Sequence, residues 1–315
     1  KDIKQNKHYN EYFDAFEDML ERTNSDNAPW YVINAEDKQY ARLALFDIVT
    51  KRLTEALGRE TAYPAEQDVS ELFPLKKMPK LNEVVLSDKI IAPEDYSVRL
   101  KELQKELSKL HGKLYKKKIP VIIAFEGWDA AGKGGAIKRV GSALDPRGYE
   151  AVPIASPTSL EKAHHYLWRF WTRLPKDGHI TIFDRTWYGR VMVERLEGFT
   201  PKERCAMAYR EINEFERELD ESGAIILKFW VQIDKDEQLR RFTDRMNTPE
   251  KRWKITDEDW RNREKWPQYE QAVDEMIQKT STENAPWYII ESNDKKYARI
   301  KTLKILIKAL EDACS

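Results

Sequence analysis

The sequence predicts an α/β fold: three layers, α/β/α, around a parallel central sheet. Two observations carry the prediction. Short, continuous apolar runs recur along the chain with helical segments between them, as in a parallel sheet covered on both faces. One of those runs leads straight into a glycine-rich loop that opens a helix.

Taken in order, the elements are these. Leu100, Leu103, Leu107, Leu110 and Leu114 recur at 3–4 spacing and predict an amphipathic helix over 98–115. Residues 121–125 (Val-Ile-Ile-Ala-Phe) form a buried strand, and a helix follows the loop to about Leu144. Residues 151–154 are a weaker strand, 160–173 a helix, and 179–183 a third strand. A helix over 202–221 leads to a long apolar strand over 223–233. Further helices reach a terminal strand and helix. Residues 58–95 contain Gly58, Pro64, Pro74, Pro79 and Pro93 and read as a linker on the surface.

The chain also repeats itself. Asn27-Ala28-Pro29-Trp30-Tyr31 returns as Asn284-Ala285-Pro286-Trp287-Tyr288, and the hexapeptide from Asp37 to Arg42 returns, changed at one position, from Asp294 to Arg299. Tyr12 and Met19 match Tyr269 and Met276 in the same register. A spacing that long is a domain plus linker, not a solenoid period. Residues 1–57 therefore read as the C-terminal tail of an upstream duplicated domain, with 96–315 as the main domain. Each copy of the block reads as helix, short strand, helix, the first strand starting at Trp30.

Charge and composition narrow the function classes. The 54 basic and 54 acidic residues cancel, so no global field draws the chain to nucleic acid or membrane. Aromatic residues at 11% argue against disorder. No apolar run approaches the ~20 residues of a membrane span. Cys205 and Cys314 fit no metal or redox spacing and suit free thiols in a reducing cytoplasm. Adjacent His164 and His165 would point about 100° apart on a helix and make a poor chelate.

The loop Gly127-Trp128-Asp129-Ala130-Ala131-Gly132-Lys133-Gly134-Gly135 satisfies the P-loop pattern in its strand–loop–helix setting. Glycines let backbone amides converge on phosphate oxygens, and the helix N-terminus adds partial positive charge. Gly127, Ala130, Ala131, Gly132, Gly134, Gly135 and Lys138 form the phosphate-binding set, and Lys133 meets the transferring group. A Ser or Thr usually follows the Gly-Lys pair to ligate the metal. Gly134 has no side chain, so Asp129 inherits that role. The strand 179–183 runs into Asp184, the expected second metal carboxylate at the carboxyl edge of the sheet, followed by Arg185 and Arg190. Arg240, Arg241, Arg245 and Lys254 lie in a basic strip interrupted by Asn247-Thr248-Pro249, which reads as a helical lid over about 240–265. Lys228, in the middle of an apolar strand, is costly to bury unless it meets an anion, and is expected to contact phosphate.

These motifs, with Phe183 to Arg190, Lys228-Phe229-Trp230, Arg240-Arg241-Phe242 and Trp253-Lys254 through Asp259-Trp260, resemble the polyphosphate kinase 2 family over about 65–312. The resemblance implies a thymidylate-kinase-like P-loop fold with a lid. It also implies phosphoryl transfer between inorganic polyphosphate and a nucleotide with Mg²⁺ or Mn²⁺. Asp129 and Asp184 would hold metal. Lys133, Arg185, Arg190, Lys228 and the lid arginines would hold phosphates. The repeat resembles fused members, which favour AMP over ADP. The expected partners are polyphosphate and AMP or ADP, with neither nucleic acid nor membrane, and a homo-oligomer is compatible. The competing activities are a polyphosphate-dependent ADP or GDP kinase, an ATP-dependent nucleoside monophosphate kinase, and a non-catalytic phosphate-binding scaffold.

Overall fold

The computed structural model describes residues 6–58 and 68–315. These fall into two compact units that divide near residue 62.

In the larger unit five strands form one all-parallel sheet: β1 (Val121–Gly127), β2 (Tyr149–Pro153), β3 (Ile180–Asp184), β4 (Ile225–Gln232) and β5 (Trp287–Glu291), in the order β2-β3-β1-β4-β5. β1 is central and fully buried along Val121–Phe125, as a strand with helices on both faces must be. Its neighbours fix the register: Phe125 pairs with Asp184 on one side and with Phe229 on the other. The connections after β1 and β3 therefore leave the same carboxyl edge. β1 is also where the strand order reverses, the place open α/β sheets reserve for ligands.

The layers are built by amphipathic helices. In chain order the described helices are α1 (Tyr9–Thr23), α2 (Lys38–Gly58), α3 (Val69–Leu72), α4 (Pro93–Lys117), α5 (Lys133–Gly141), α6 (Ser159–Lys162), α7 (Trp168–Trp171), α8 (Val193–Leu196), α9 (Lys202–Glu221), α10 (Lys235–Met246), α11 (Asp257–Glu264), α12 (Trp266–Thr280) and α13 (Lys295–Cys314). α4 starts with Pro93 in its first turn, where the missing amide costs nothing, and ends at Lys118 in the left-handed region. It buries Leu107, Leu110 and Leu114 and packs against α13. α9 matches its predicted span and buries Ile212, Phe215 and Leu219. No helix among the described residues is long and apolar enough to cross a membrane.

Several elements differ from expectation. The helix expected over 160–173 is two single turns, α6 and α7. α6 carries a capping box from Thr158 to Glu161 but ends at once, and short helices are marginal without a long buried face. Part of the stretch 58–95 lies outside the described residues. In its described part Val69, Phe73, Leu81 and Ile91 are buried, and Leu75 bridges antiparallel to Thr282.

The smaller unit consists of α1 and α2. Trp30–Ile33, expected as a strand, joins no ladder. A strand needs a neighbour to take its amides and carbonyls. Its counterpart Trp287–Ile290 has β4, whereas no strand among residues 6–58 offers an edge.

Candidate active site

β1 delivers the loop, and the loop is shaped by what cannot fit beside it. Gly127 has φ +146°, and a Cβ there would lie 2.5 Å from the Val231 carbonyl oxygen on β4. Only glycine allows that approach. Ala130 (φ 61°) and Arg185 (φ 68°) also hold left-handed backbone without being glycine. Such strain gathers where the surrounding structure over-determines a functional site.

The loop is braced from below. Arg241 is buried on α10, and its Nη1 donates to the carbonyls of Ala130 (2.9 Å) and Ala131 (2.7 Å). Its Nη2 donates to the Ser292 and Asn293 carbonyls, and Nε pairs with Glu237 at 2.5 Å. Ser292 Oγ donates to the Ala131 carbonyl at 2.6 Å. The turn is also closed on itself, the Ala131 amide donating to the Trp128 carbonyl at 3.0 Å. Trp128 is clamped by a 3.6 Å ring stack on Trp266 and by its Nε1 donating to Gln232 Oε1 at 2.9 Å.

A cavity of about 110 Å³ opens above the loop, lined among others by Glu126, Asp129, Lys133, Arg185, Glu258 and Asn262. Lys133 Nζ folds over the loop, donating to the carbonyls of Gly127 (2.5 Å) and Trp128 (3.2 Å). Asp129 is held from two sides: Asn262 Nδ2 donates to Oδ2 at 3.0 Å, and Arg185 Nη2 stands 3.6 Å from Oδ1. Asp184 ends β3 one residue before Arg185 and beside Phe125, though it is not among the residues that line the cavity. The donors the two carboxylates present are hard oxygens, the kind a divalent cation such as Mg²⁺ takes while keeping several waters.

Three further lining residues have no role predicted from the sequence, although Glu258 falls inside the motif from Trp253 to Trp260. Glu126 precedes Gly127 and is buried, its Oε1 accepting from the Thr186 amide (2.7 Å) and hydroxyl (2.8 Å). Its position at the carboxyl end of β1 was the only available signal. Glu258 and Asn262 come from α11, far along the chain, and only folding brings them here.

Burial raises the Glu126 pKa from 4.5 to about 6, against the opposing pull of Lys133, Thr186 and Arg185. Between those two values the unfolded chain has released a proton that the folded chain keeps. The folded state binds more protons there, so the Glu126 contribution to stability falls as pH rises through the window. We expect wild type to lose about 1.5 kcal/mol relative to Glu126→Gln between pH ~4.5 and ~6.5, since one unit is worth about 1.4 kcal/mol and the window spans most of the shift. Urea titrations at both pH values measure it, and a constant difference would mean that Glu126 titrates like a surface carboxylate.

The remaining predicted residues are distributed differently. Lys138 is exposed on α5. Arg190 is paired with Glu194 at 2.9 Å, bonded to Thr200, and lies 4.2 Å over the Tyr166 ring. Arg240 is taken up by Glu237 and Asp244, Arg245 bonds the Lys254 carbonyl at 3.4 Å, and Lys254 sits over Trp253. Lys228 is not brought to the cavity. Its ammonium is fully buried and gives all three protons to protein acceptors: Glu216 Oε2 (2.6 Å), Tyr188 Oη (2.8 Å) and the Thr280 carbonyl (2.7 Å). The anion it meets is a carboxylate of α9, not a phosphate.

The family described as Polyphosphate kinase 2 (PPK2) matches residues 1–60 and 91–315. Polyphosphate:AMP phosphotransferase of Pseudomonas syringae pv. tomato is 46% identical over 320 residues, covering 99% of this chain and 63% of the relative. The enzyme of the same name from Pseudomonas aeruginosa is 45% identical over 316 residues, with the same coverage. This chain thus spans 63% of the length of those two relatives. A crystal structure of a polyphosphate kinase 2 from Arthrobacter aurescens TC1 superposes with a TM-score of 0.73 at 31% identity, covering 80% of this chain and 92% of that one. A loop with glycine where a metal-binding hydroxyl usually stands, a carboxylate inside that loop, a parallel sheet that presents both at its carboxyl edge, and these similarities converge: the chain belongs to the polyphosphate kinase 2 family.

Proposed function

We propose that this chain transfers the terminal phosphoryl group of inorganic polyphosphate to a nucleotide, AMP to ADP in preference. The observation that carries the reading is Lys133 and Asp129 facing one cavity above a loop whose carbonyls are tied down by Arg241 and Ser292. Relatives named polyphosphate:AMP phosphotransferase support AMP as acceptor. A relative of Rhizobium meliloti named ADP-polyphosphate phosphotransferase 2, 39% identical, supports ADP as the next choice.

Mg²⁺ would be held by Asp129 and Asp184, and it would neutralise charge on the phosphates. Lys133 and Arg185 provide fixed positive charge where charge moves between donor and acceptor. Attack comes from a phosphate oxygen of the acceptor, so the site needs positioning and charge rather than a strong base.

Residues 1–57 are the matching tail of an upstream copy. Their apolar positions correspond to core positions of α12, β5 and α13. Trp30 is 51% exposed against 2% for its counterpart Trp287, and Phe46 is 69% exposed against 0% for Leu303.

The deciding experiment incubates the protein with Mg²⁺, polyphosphate and AMP, ADP, GMP or GDP in turn, with products separated by chromatography. We expect ADP from AMP at the highest rate. No nucleotide product from any acceptor would overturn the reading. Product from ATP and AMP without polyphosphate would favour an ordinary nucleoside monophosphate kinase.

A further inference from the structure

Asp129 is gripped by residues far along the chain. Its Oδ2 accepts from Asn262 Nδ2 at 3.0 Å, and its backbone carbonyl accepts from Gln238 Nε2 at 3.1 Å. Both donors are neutral amides. Gln238 comes from α10 and Asn262 from α11, inside the segment read as the lid.

The Asn262 amide is itself oriented. Tyr269 Oη donates to its Oδ1 at 3.3 Å. An amide has one accepting end and one donating end, so a donor on Oδ1 leaves Nδ2 for the carboxylate. α11 is fixed in turn. Thr256 and Asp259 close its capping box, and Trp260 meets Phe242 edge-on at 5.2 Å. Arg263 Nη1 donates to the Lys235 carbonyl at 2.5 Å and to Gln238 Oε1 at 3.3 Å. Just beyond α11, Trp266 stacks on Trp128. The stretch from Asn262 to Trp266 therefore holds two consecutive loop residues, Trp128 by its ring and Asp129 by its carboxylate.

A neutral donor suits this place. The Asp129 side chain is 19% exposed, and Arg185 Nη2 stands 3.6 Å from its Oδ1. An arginine free to close in would take both oxygens in a bidentate pair. Asn262 opposes that by holding Oδ2. Its N–H occupies one lone pair and sets no full positive charge against a cation. Gly134 has no side chain to help, so the aim of Asp129 depends on residues outside the loop.

We propose that Asn262 is a positioning residue: set by Tyr269, it holds the Asp129 carboxylate in its metal-accepting orientation, so the metal site is complete only with α11 seated on the loop. The inference rests on the metal role proposed above for Asp129.

Mn²⁺ alone, titrated into the full chain without nucleotide or polyphosphate, is the direct probe, with free ion read by electron paramagnetic resonance. The binding lost in Asp129→Asn defines the site. We expect Asn262→Leu, of similar size, to weaken that binding about tenfold, the usual cost of removing an outer partner from a metal ligand. Tyr269→Phe keeps the ring and should give a smaller loss in the same direction. In turnover with polyphosphate and AMP, excess Mn²⁺ should restore most of the Asn262→Leu rate. Damage to the fold of α11 would not be repaired that way.

Wild-type Mn²⁺ binding by both variants, or a rate deficit that excess Mn²⁺ leaves in place, would overturn the positioning role while Asp129→Asn still loses its ion. Asp129→Asn protein that binds Mn²⁺ as wild type does would remove the metal role itself, and the inference with it.

Discussion

Lys133→Ala is expected to lower polyphosphate-dependent nucleotide phosphorylation by about 10²–10³-fold, the usual cost of removing one fixed electrostatic contact from a transition state. The expectation follows from where the ammonium sits. Lys133 Nζ leans back over the loop, on the Gly127 and Trp128 carbonyls, at the edge of the cavity that holds Asp129 and Arg185. A phosphate entering the loop competes for those protons and offers a full charge in place of carbonyl dipoles. The contact is charge-assisted and strengthens as charge develops. The loss should fall mainly on kcat. Stability should change little, because Arg241 and Ser292 keep the Ala130 and Ala131 carbonyls tied down and only the Gly127 and Trp128 carbonyls lose a donor. Steady-state kinetics with urea unfolding of the same variant checks both halves. Full turnover in a folded Lys133→Ala protein would remove this loop from the chemistry.

Lys228→Met is expected to do the opposite: a large loss of stability, about 3–5 kcal/mol, the cost of orphaning the partner in a buried ion pair. The pair lies in a closed network. Glu216 accepts from Lys228, from Tyr188 Oη at 2.7 Å and from Trp187 Nε1 at 3.0 Å, and none of these groups reaches solvent. Burial pulls the Lys228 pKa below its ordinary value while Glu216 pushes back. Removing the ammonium strands the Glu216 carboxylate in the interior. The double variant Lys228→Met/Glu216→Leu should recover a large part of the loss, since an apolar replacement of both partners is often near neutral. Denaturant midpoints of the two singles and the double give the coupling directly. A phosphate-binding lysine would give another pattern: reduced donor affinity with stability unchanged.

Lys228 also marks the boundary between what could and could not be read from sequence. A lysine inside an apolar strand requires an anion, and that inference was sound. Which anion depends on α9 placing Glu216 beneath β4, a contact between distant segments with no motif to announce it. Arg241 is a similar case. Its sequence context is a basic strip, whereas its guanidinium is buried and spent on loop carbonyls. Glu258 and Asn262 lie within the predicted lid, but no role could be read for them, because polar residues on a helix look alike until one face meets a cavity.

What the sequence by itself determined was local. Apolar runs bounded by helices dictate the parallel sheet, because each strand must bury both faces. The glycines dictate a loop that can approach phosphate, because a Cβ at Gly127 would strike β4. The tertiary structure decided the rest. It chose which cations face open space and which face a carboxylate. It laid Asn262 and Glu258 over the loop. It brought Lys295 and Arg299 to the loop's far side. Among the described residues Trp30–Ile33 joins no ladder, whereas its twin Trp287–Ile290 pairs with β4. The physical reason is the same in each case. Hydrophobic periodicity and backbone geometry act over a few residues, whereas charge pairing and ladder formation act across whatever the fold brings together.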